Sequence, residues 1–244
     1  MKTNHKFTFE IMPQDTDFTR KINITALGNY ILANAARMAA TQNNFGIEAL
    51  MKENLTWVVT RFAIEMQYYP AHNEQINIET WVEDYGKLFT TRNFKIFDKD
   101  DNQIGAATSV WAVIDLTTRR PYNLDNKIEW HRAATGIGAG IEKPIKLDEI
   151  PPEIPATVYH SVAYSDIDIN QHTNSMKYVE WFLNTLDIEK FKHKNIVRFD
   201  VNYMHEALFG EKVAIFTEEK DNKNFCEIRN LNNKSLCRIR LMWR

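Results

Sequence analysis

The chain is short of several things at once. Two cysteines occur in 244 residues, Cys226 and Cys237, both inside "FCEIRNLNNKSLCRI". So few thiols exclude a disulfide framework, and their setting in a hairpin around Asn232 and Asn233 predicts ordinary strand residues in a reducing compartment. No run approaches about 18 apolar residues, which excludes a membrane-spanning helix. The opening "MKTNHKFTFE" lacks the apolar segment of a secretion signal, so a cytoplasmic protein is expected. Neither sign of charge dominates: 30 Lys and Arg stand against 32 Asp and Glu, a net charge of -2. That balance excludes a global field for nucleic acid and confines any docking patch to local runs. Among His172, His193 and His205 no pair has the i, i+4 spacing of a helical metal site, and no metal or other cofactor is expected.

Proline and glycine are scarce and unevenly spread. Five of the seven prolines and three of the eight glycines lie between Pro121 and Pro155. Residues 133–155 therefore read as a linker between an N-terminal repeat, 1–132, and a C-terminal repeat, 156–244. The "GIGAG" within it has neither GxGxxG spacing nor a preceding apolar strand, so it reads as flexible connection rather than a phosphate loop.

What is present is a duplication. "RFAIEMQYYPAHNEQINIETWVED" from Arg61 aligns without a gap on "RFDVNYMHEALFGEKVAIFTEEKD" from Arg198, at an offset of 137. A helical pattern precedes each copy: "ITALGNYILANAARMAA" with Leu27, Ile31, Ala35 and Met38 on one stripe, and "NSMKYVEWFLNTL" with Met176, Val179, Phe182 and Leu186. Strand-like segments follow each copy, "TTRNFKIF" and "AATSVWAVIDL" in the first half and "NFCEIRNL" and "SLCRIRLMWR" in the second. A long helix followed by a meander buries best when the sheet curls around the helix. The expected fold is an α+β double hotdog, two tandem repeats of a sheet wrapped on a helix.

The segments "NLTWVVTRFAIEMQYYP", "INIETWVEDYGK", "SVWAVIDLTTRRP" and "SDIDINQHTNSMKYVEWFL" resemble, in order and across both repeats, those of acyl-acyl-carrier-protein thioesterases. The chain is similar to that family as a bacterial relative of the plant chain-terminating enzymes. The resemblance implies a double hotdog and hydrolysis of the thioester between a fatty acyl chain and the phosphopantetheine of acyl carrier protein.

The residues offer a site. Asp168, Asn170 and His172 sit on alternate positions ahead of the second helix; in an extended segment they would share a face and converge beside its first turn. There the helix N-terminus and the Asn170 amide could receive a carbonyl oxygen gaining charge, while His172 orients water or thioester and handles a proton. At an offset of 148, which lays Tyr30 on Tyr178, the first repeat has Arg20, Ile22 and Ile24 at these places, so the polar set is expected only in the second. The family pattern puts an acid before a cysteine at "HEA", matching Glu206 and Ala207. Without the cysteine, a thiol nucleophile cannot act from that position. The resemblance then implies an activated water, with Glu206 as base, raised toward neutrality by burial, and Asp168 as the acid fixing the network. Whether Glu206 or Asp168 is the principal base stays open.

Two other classes compete. A double-hotdog enoyl-thioester hydratase would place its histidine five residues after the aspartate with a proline between, whereas His172 lies four after Asp168 with none. A non-catalytic acyl-thioester-binding module would have no use for the polar set. The alanine-rich first helix predicts an acyl pocket along Leu27, Ile31, Ala35 and Met38. Lys192 and Lys194 in "FKHKNIVR", with the pairs Arg119 and Arg120 and Arg238 and Arg240, are the candidate cations for an acidic carrier. A homodimer is left open.

Overall fold

The computed structural model describes residues 5–41 and 46–244. It divides into two compact units, Met1–Pro144 and Ile145–Arg244.

In the first unit, β1 (His5–Glu10), β2 (Leu55–Met66), β3 (Gln75–Tyr85), β4 (Thr90–Phe97) and β5 (Gln103–Asp115) pair antiparallel in the order β1-β3-β4-β5-β2. The helix α1 (Ile24–Thr41) carries the alanine-rich pattern; Asn23 caps it by accepting the Ala26 N–H at 2.7 Å. Its stripe of Leu27, Ile31, Ala35 and Met38 is buried, and Asn34 donates to the Ile78 carbonyl of β3 at 3.1 Å. Each fully buried aliphatic side chain of this kind contributes on the order of 1.5–3 kcal/mol. A short α2 (Ile47–Met51) puts Leu50 into a second cluster with Leu55, Val113, Leu124 and Trp130.

In the second unit, β6 (Val158–Ser161), β7 (Ile196–Tyr203), β8 (Lys212–Lys220), β9 (Lys223–Asn230) and β10 (Ser235–Trp243) pair antiparallel in the order β7-β10-β9-β8-β6. The second helix is half the length of the first. α3 spans Ser175–Leu183, capped by the Asn174 side chain on the Met176 N–H. The helical pattern read through Leu186 breaks earlier because Asn184 ends the helix and Asp187 caps a new one, α4 (Ile188–His193). Met176, Val179 and Phe182 are buried, and Tyr203 of β7 donates to the Ser175 carbonyl at 2.9 Å. Cys226 and Cys237 are free, buried and on neighbouring strands, where loss of water pushes both thiols well up.

The proline-rich connection is irregular but tethered, unlike the flexible segment expected of it. Ile137 offers its carbonyl to the Trp81 indole N–H at 2.7 Å and the Asn93 amide at 2.9 Å. In the second unit, Asn202 accepts the Leu147 N–H at 2.7 Å, Glu227 accepts the Ile150 N–H at 2.8 Å, and Arg238 donates to the Leu147 carbonyl at 3.1 Å. Buried polar side chains of β7 and β9 thus take the place of a further strand.

Candidate active site

The segment expected to be extended is a tight turn. Asp168 N–H donates to the His172 carbonyl at 2.9 Å, Gln171 N–H donates to the Asp168 carbonyl at 3.0 Å, and Ile167 bridges Thr173. Gln171 takes φ 65°, a left-handed conformation that reverses the chain. The Asp168 carboxylate folds back onto the Asn170 N–H at 2.8 Å, with the Asn170 amide at 3.5 Å from its other oxygen. That is an Asx turn, built by the aspartate itself.

The first unit contains the same turn, and it corrects the alignment of the repeats. Asp17 N–H reaches the Lys21 carbonyl, Arg20 N–H the Asp17 carbonyl, and Thr19 N–H the Asp17 carboxylate at 2.7 Å; Arg20 has φ 64°. The offset is 151, not 148. Asp168 therefore corresponds to Asp17, Asn170 to Thr19 and His172 to Lys21, so the aspartate is common to both units while the amide and the imidazole are not. Tyr30 matches Trp181, as their partners confirm: the Tyr30 hydroxyl donates to Asp15 at 2.6 Å and the Trp181 indole to Asp166 at 3.3 Å.

His172 Nε2 lies 3.5 Å from Glu206 Oε2, which brings together two residues 34 positions apart. Glu206 is not buried as expected: its side chain is 36% exposed, and that of His172 29%. Ala207 beyond it is buried, and Thr173 N–H and Oγ1 both donate to its carbonyl, at 3.2 and 2.8 Å. The N-terminus of α3 is satisfied in part by its own cap, since Asn174 holds the Met176 N–H, so that amide does not serve an outside oxyanion. An imidazole within reach of a carboxylate, two residues along a tight turn from a side-chain amide and partly open to solvent, suits water activation beside a carbonyl.

The other candidate residues are placed as follows. The stripe from Leu27 to Met38 ends on a cation: the buried Arg92 guanidinium donates to Met38 Sδ at 2.5 Å, and burial pushes it down to about 10. Lys192 pairs with Glu189, and Lys194 donates to Asn222 at 2.6 Å. Arg238 and Arg240 are consumed by Glu149, Glu227 and Asp200, so that pair is structural rather than a docking patch.

Residues 2–129 match the acyl-ACP thioesterase N-terminal domain and residues 153–244 the acyl-ACP thioesterase C-terminal domain. The chain belongs to the acyl-ACP thioesterase family. An acyl-ACP thioesterase from Bacteroides thetaiotaomicron superposes with a TM-score of 0.90 at 34% identity, over 98% of this chain and 97% of that one. The 12:0-ACP thioesterase from Umbellularia californica shares the fold, with a TM-score of 0.86 at 22% identity, over 98% of this chain and 96% of that one. The fold is the expected α+β double hotdog. A chloroplastic acyl-[acyl-carrier-protein] hydrolase of Cuphea viscosissima is 27% identical over 82% of this chain and 51% of its own length. A chloroplastic dodecanoyl-[acyl-carrier-protein] hydrolase of Cinnamomum camphora is 27% identical over 86% and 58% respectively. The chain thus spans about half the length of the curated relatives it matches.

Proposed function

We propose that this protein hydrolyses the thioester of fatty acyl-acyl-carrier-protein with an activated water. The observation that carries the reading is the His172 to Glu206 contact at 3.5 Å, next to an alanine where a thiol nucleophile would have to stand. Glu206 takes a proton from water, and the resulting hydroxide adds to the thioester carbonyl carbon. Asn170 donates to the oxygen as it becomes an oxyanion. The C–S bond then breaks, and the phosphopantetheine thiolate leaves with a proton handed on by His172. Free fatty acid and carrier thiol are the products. Asp168 acts through the turn that carries Asn170, so Glu206 is the principal base.

The acyl chain is assigned to α1, along Leu27, Ile31, Ala35 and Met38, where alanine leaves the least side-chain volume. Lys192 and Lys194 are assigned to carrier docking; both already have partners that an acidic surface would have to displace. Membership of the family weighs against the hydratase and the binding module. The deciding experiment mixes purified protein with acyl-carrier thioester and measures free thiol and free fatty acid together. Release of both in equal amounts supports the hydrolase. Water added across a 2-enoyl chain with the thioester intact would establish the hydratase, and binding without turnover the module.

A further inference from the structure

Two hydroxyls converge on the residue after Glu206. Thr173, next to His172, gives both its N–H and its Oγ1 proton to the Ala207 carbonyl. From α3, Tyr178 Oη accepts the Ala207 N–H at 2.8 Å. Thr173, Tyr178 and Ala207 are all buried, and burial pushes the phenol well above its ordinary value, so it stays neutral.

The first unit has the same backbone and neither hydroxyl contact. Ile22 stands for Thr173, Leu27 for Tyr178 and Pro70 for Ala207. Ile22 N–H still reaches the Pro70 carbonyl at 2.8 Å, so that one link belongs to the fold. Missing are the hydroxyl, the phenol and an amide N–H, which proline does not have. Hydroxyl contacts needed only for folding would recur in both units. They occur only where the chain presents a carboxylate to an imidazole.

We infer that Thr173 and Tyr178 are positioning residues for the reaction, fixing the backbone at Ala207 so that Glu206 stays within reach of His172. This rests on the reading of Glu206 and His172 as the reacting pair. The Ala207 backbone adjoins Glu206, whose side chain is 36% exposed, so fixing that backbone narrows the positions its carboxylate can take.

The test removes each hydroxyl at nearly constant shape. Tyr178→Phe and Thr173→Val are each expected to lower kcat about 10-fold with KM changed less than about two-fold, and Thr173→Ser to restore most of it. Tyr203→Phe is the control: it deletes a comparable phenol bond, to Ser175, without touching Ala207, and should match their loss of Tm while keeping kcat. A readout independent of turnover is the change in the His172 ring NMR signals on Glu206→Gln, which should shrink in a Tyr178→Phe background. Equal kcat losses in Tyr203→Phe and Tyr178→Phe would overturn the inference, as would an undiminished His172 response. If the wild type released no thiol from acyl-carrier thioester, the hydrolase reading would fail, while the His172 signals would still decide the positioning role of Thr173 and Tyr178.

Discussion

The turn at 17–21 and the turn at 168–172 share a backbone and differ in side chains. Both reverse the chain through a left-handed residue, Arg20 or Gln171, and both are tied by an aspartate to the N–H two residues on. Only the second carries an amide and an imidazole, and only there does a glutamate rather than Tyr69 occupy the facing position. The two units share the frame, and only the second carries the amide, the imidazole and the facing carboxylate. Recurrence marks Asp168 as part of the frame, and asymmetry marks Asn170, His172 and Glu206 as what was added.

Breaking the asymmetric half should cost most. Glu206→Ala and His172→Ala should each lower turnover by at least about 100-fold, the scale of a lost acid-base group. Lys21→Ala, the counterpart of His172 in the first turn, should leave steady-state rates essentially unchanged. A fall with Lys21→Ala as large as with His172→Ala would mean that the first turn also acts in the reaction.

The shared half should break alike in both units. Asp17→Ala and Asp168→Ala should each lower stability by roughly 1 kcal/mol, the worth of a turn hydrogen bond, measured by denaturant unfolding. Asp168→Ala should also slow turnover about 10-fold by loosening the loop that holds Asn170, whereas Asp168→Asn, which can still close the turn, should retain most activity. If asparagine proved as damaging as alanine, the Asp168 charge would have a chemical role that Asp17 lacks.

The helices give the third contrast. Ala35→Phe in α1 should shift hydrolysis toward shorter acyl chains by a few-fold in relative rate while sparing the catalytic pair. Rates on a ladder of chain lengths check this; a uniform loss at every length would indicate overpacking alone. A smaller effect is expected at α4, where charge reversal of Lys192 and Lys194 together should raise KM more than it lowers kcat, with added salt acting the same way. An unchanged KM would remove that patch from the docking surface. The smallest concerns the cysteines: because burial raises both thiols, the thiolate fraction at pH 8 is depressed, and iodoacetamide should leave activity intact.

Much of this was legible beforehand, for physical reasons. β4 and β10 fall where "TTRNFKIF" and "SLCRIRLMWR" put them, because β-branched and aromatic residues on alternate positions have few other uses. The turn was not legible, because Asp, Asn and His at i, i+2 and i+4 imitate the period of a strand, and a left-handed glutamine leaves no mark in sequence. Matching Tyr30 to Tyr178, tyrosine to tyrosine, puts the register off by three residues. On a helix, three residues is nearly one turn, so the apolar stripe fits either way; Asp15 and Asp166 with their aromatic partners settle it. With the right register, the exchange of Ile22, Leu27 and Pro70 for Thr173, Tyr178 and Ala207 becomes visible as a signal. Glu206 came only from the family pattern, since a lone glutamate at a strand end has nothing local to distinguish it.

The tethered connection has a practical consequence for limited proteolysis. Its composition invites a protease, yet its tryptic bonds are poorly placed for cleavage. Lys143 precedes Pro144, which trypsin does not cut, and the bond after Lys146 leads into a Leu147 whose N–H is held by Asn202 and whose carbonyl is held by Arg238. A protease must draw several residues into an extended strand in its own cleft, and here that means first pulling them off buried side chains. The stretch that looks most like a hinge in the sequence should therefore survive trypsin as long as the sheets do.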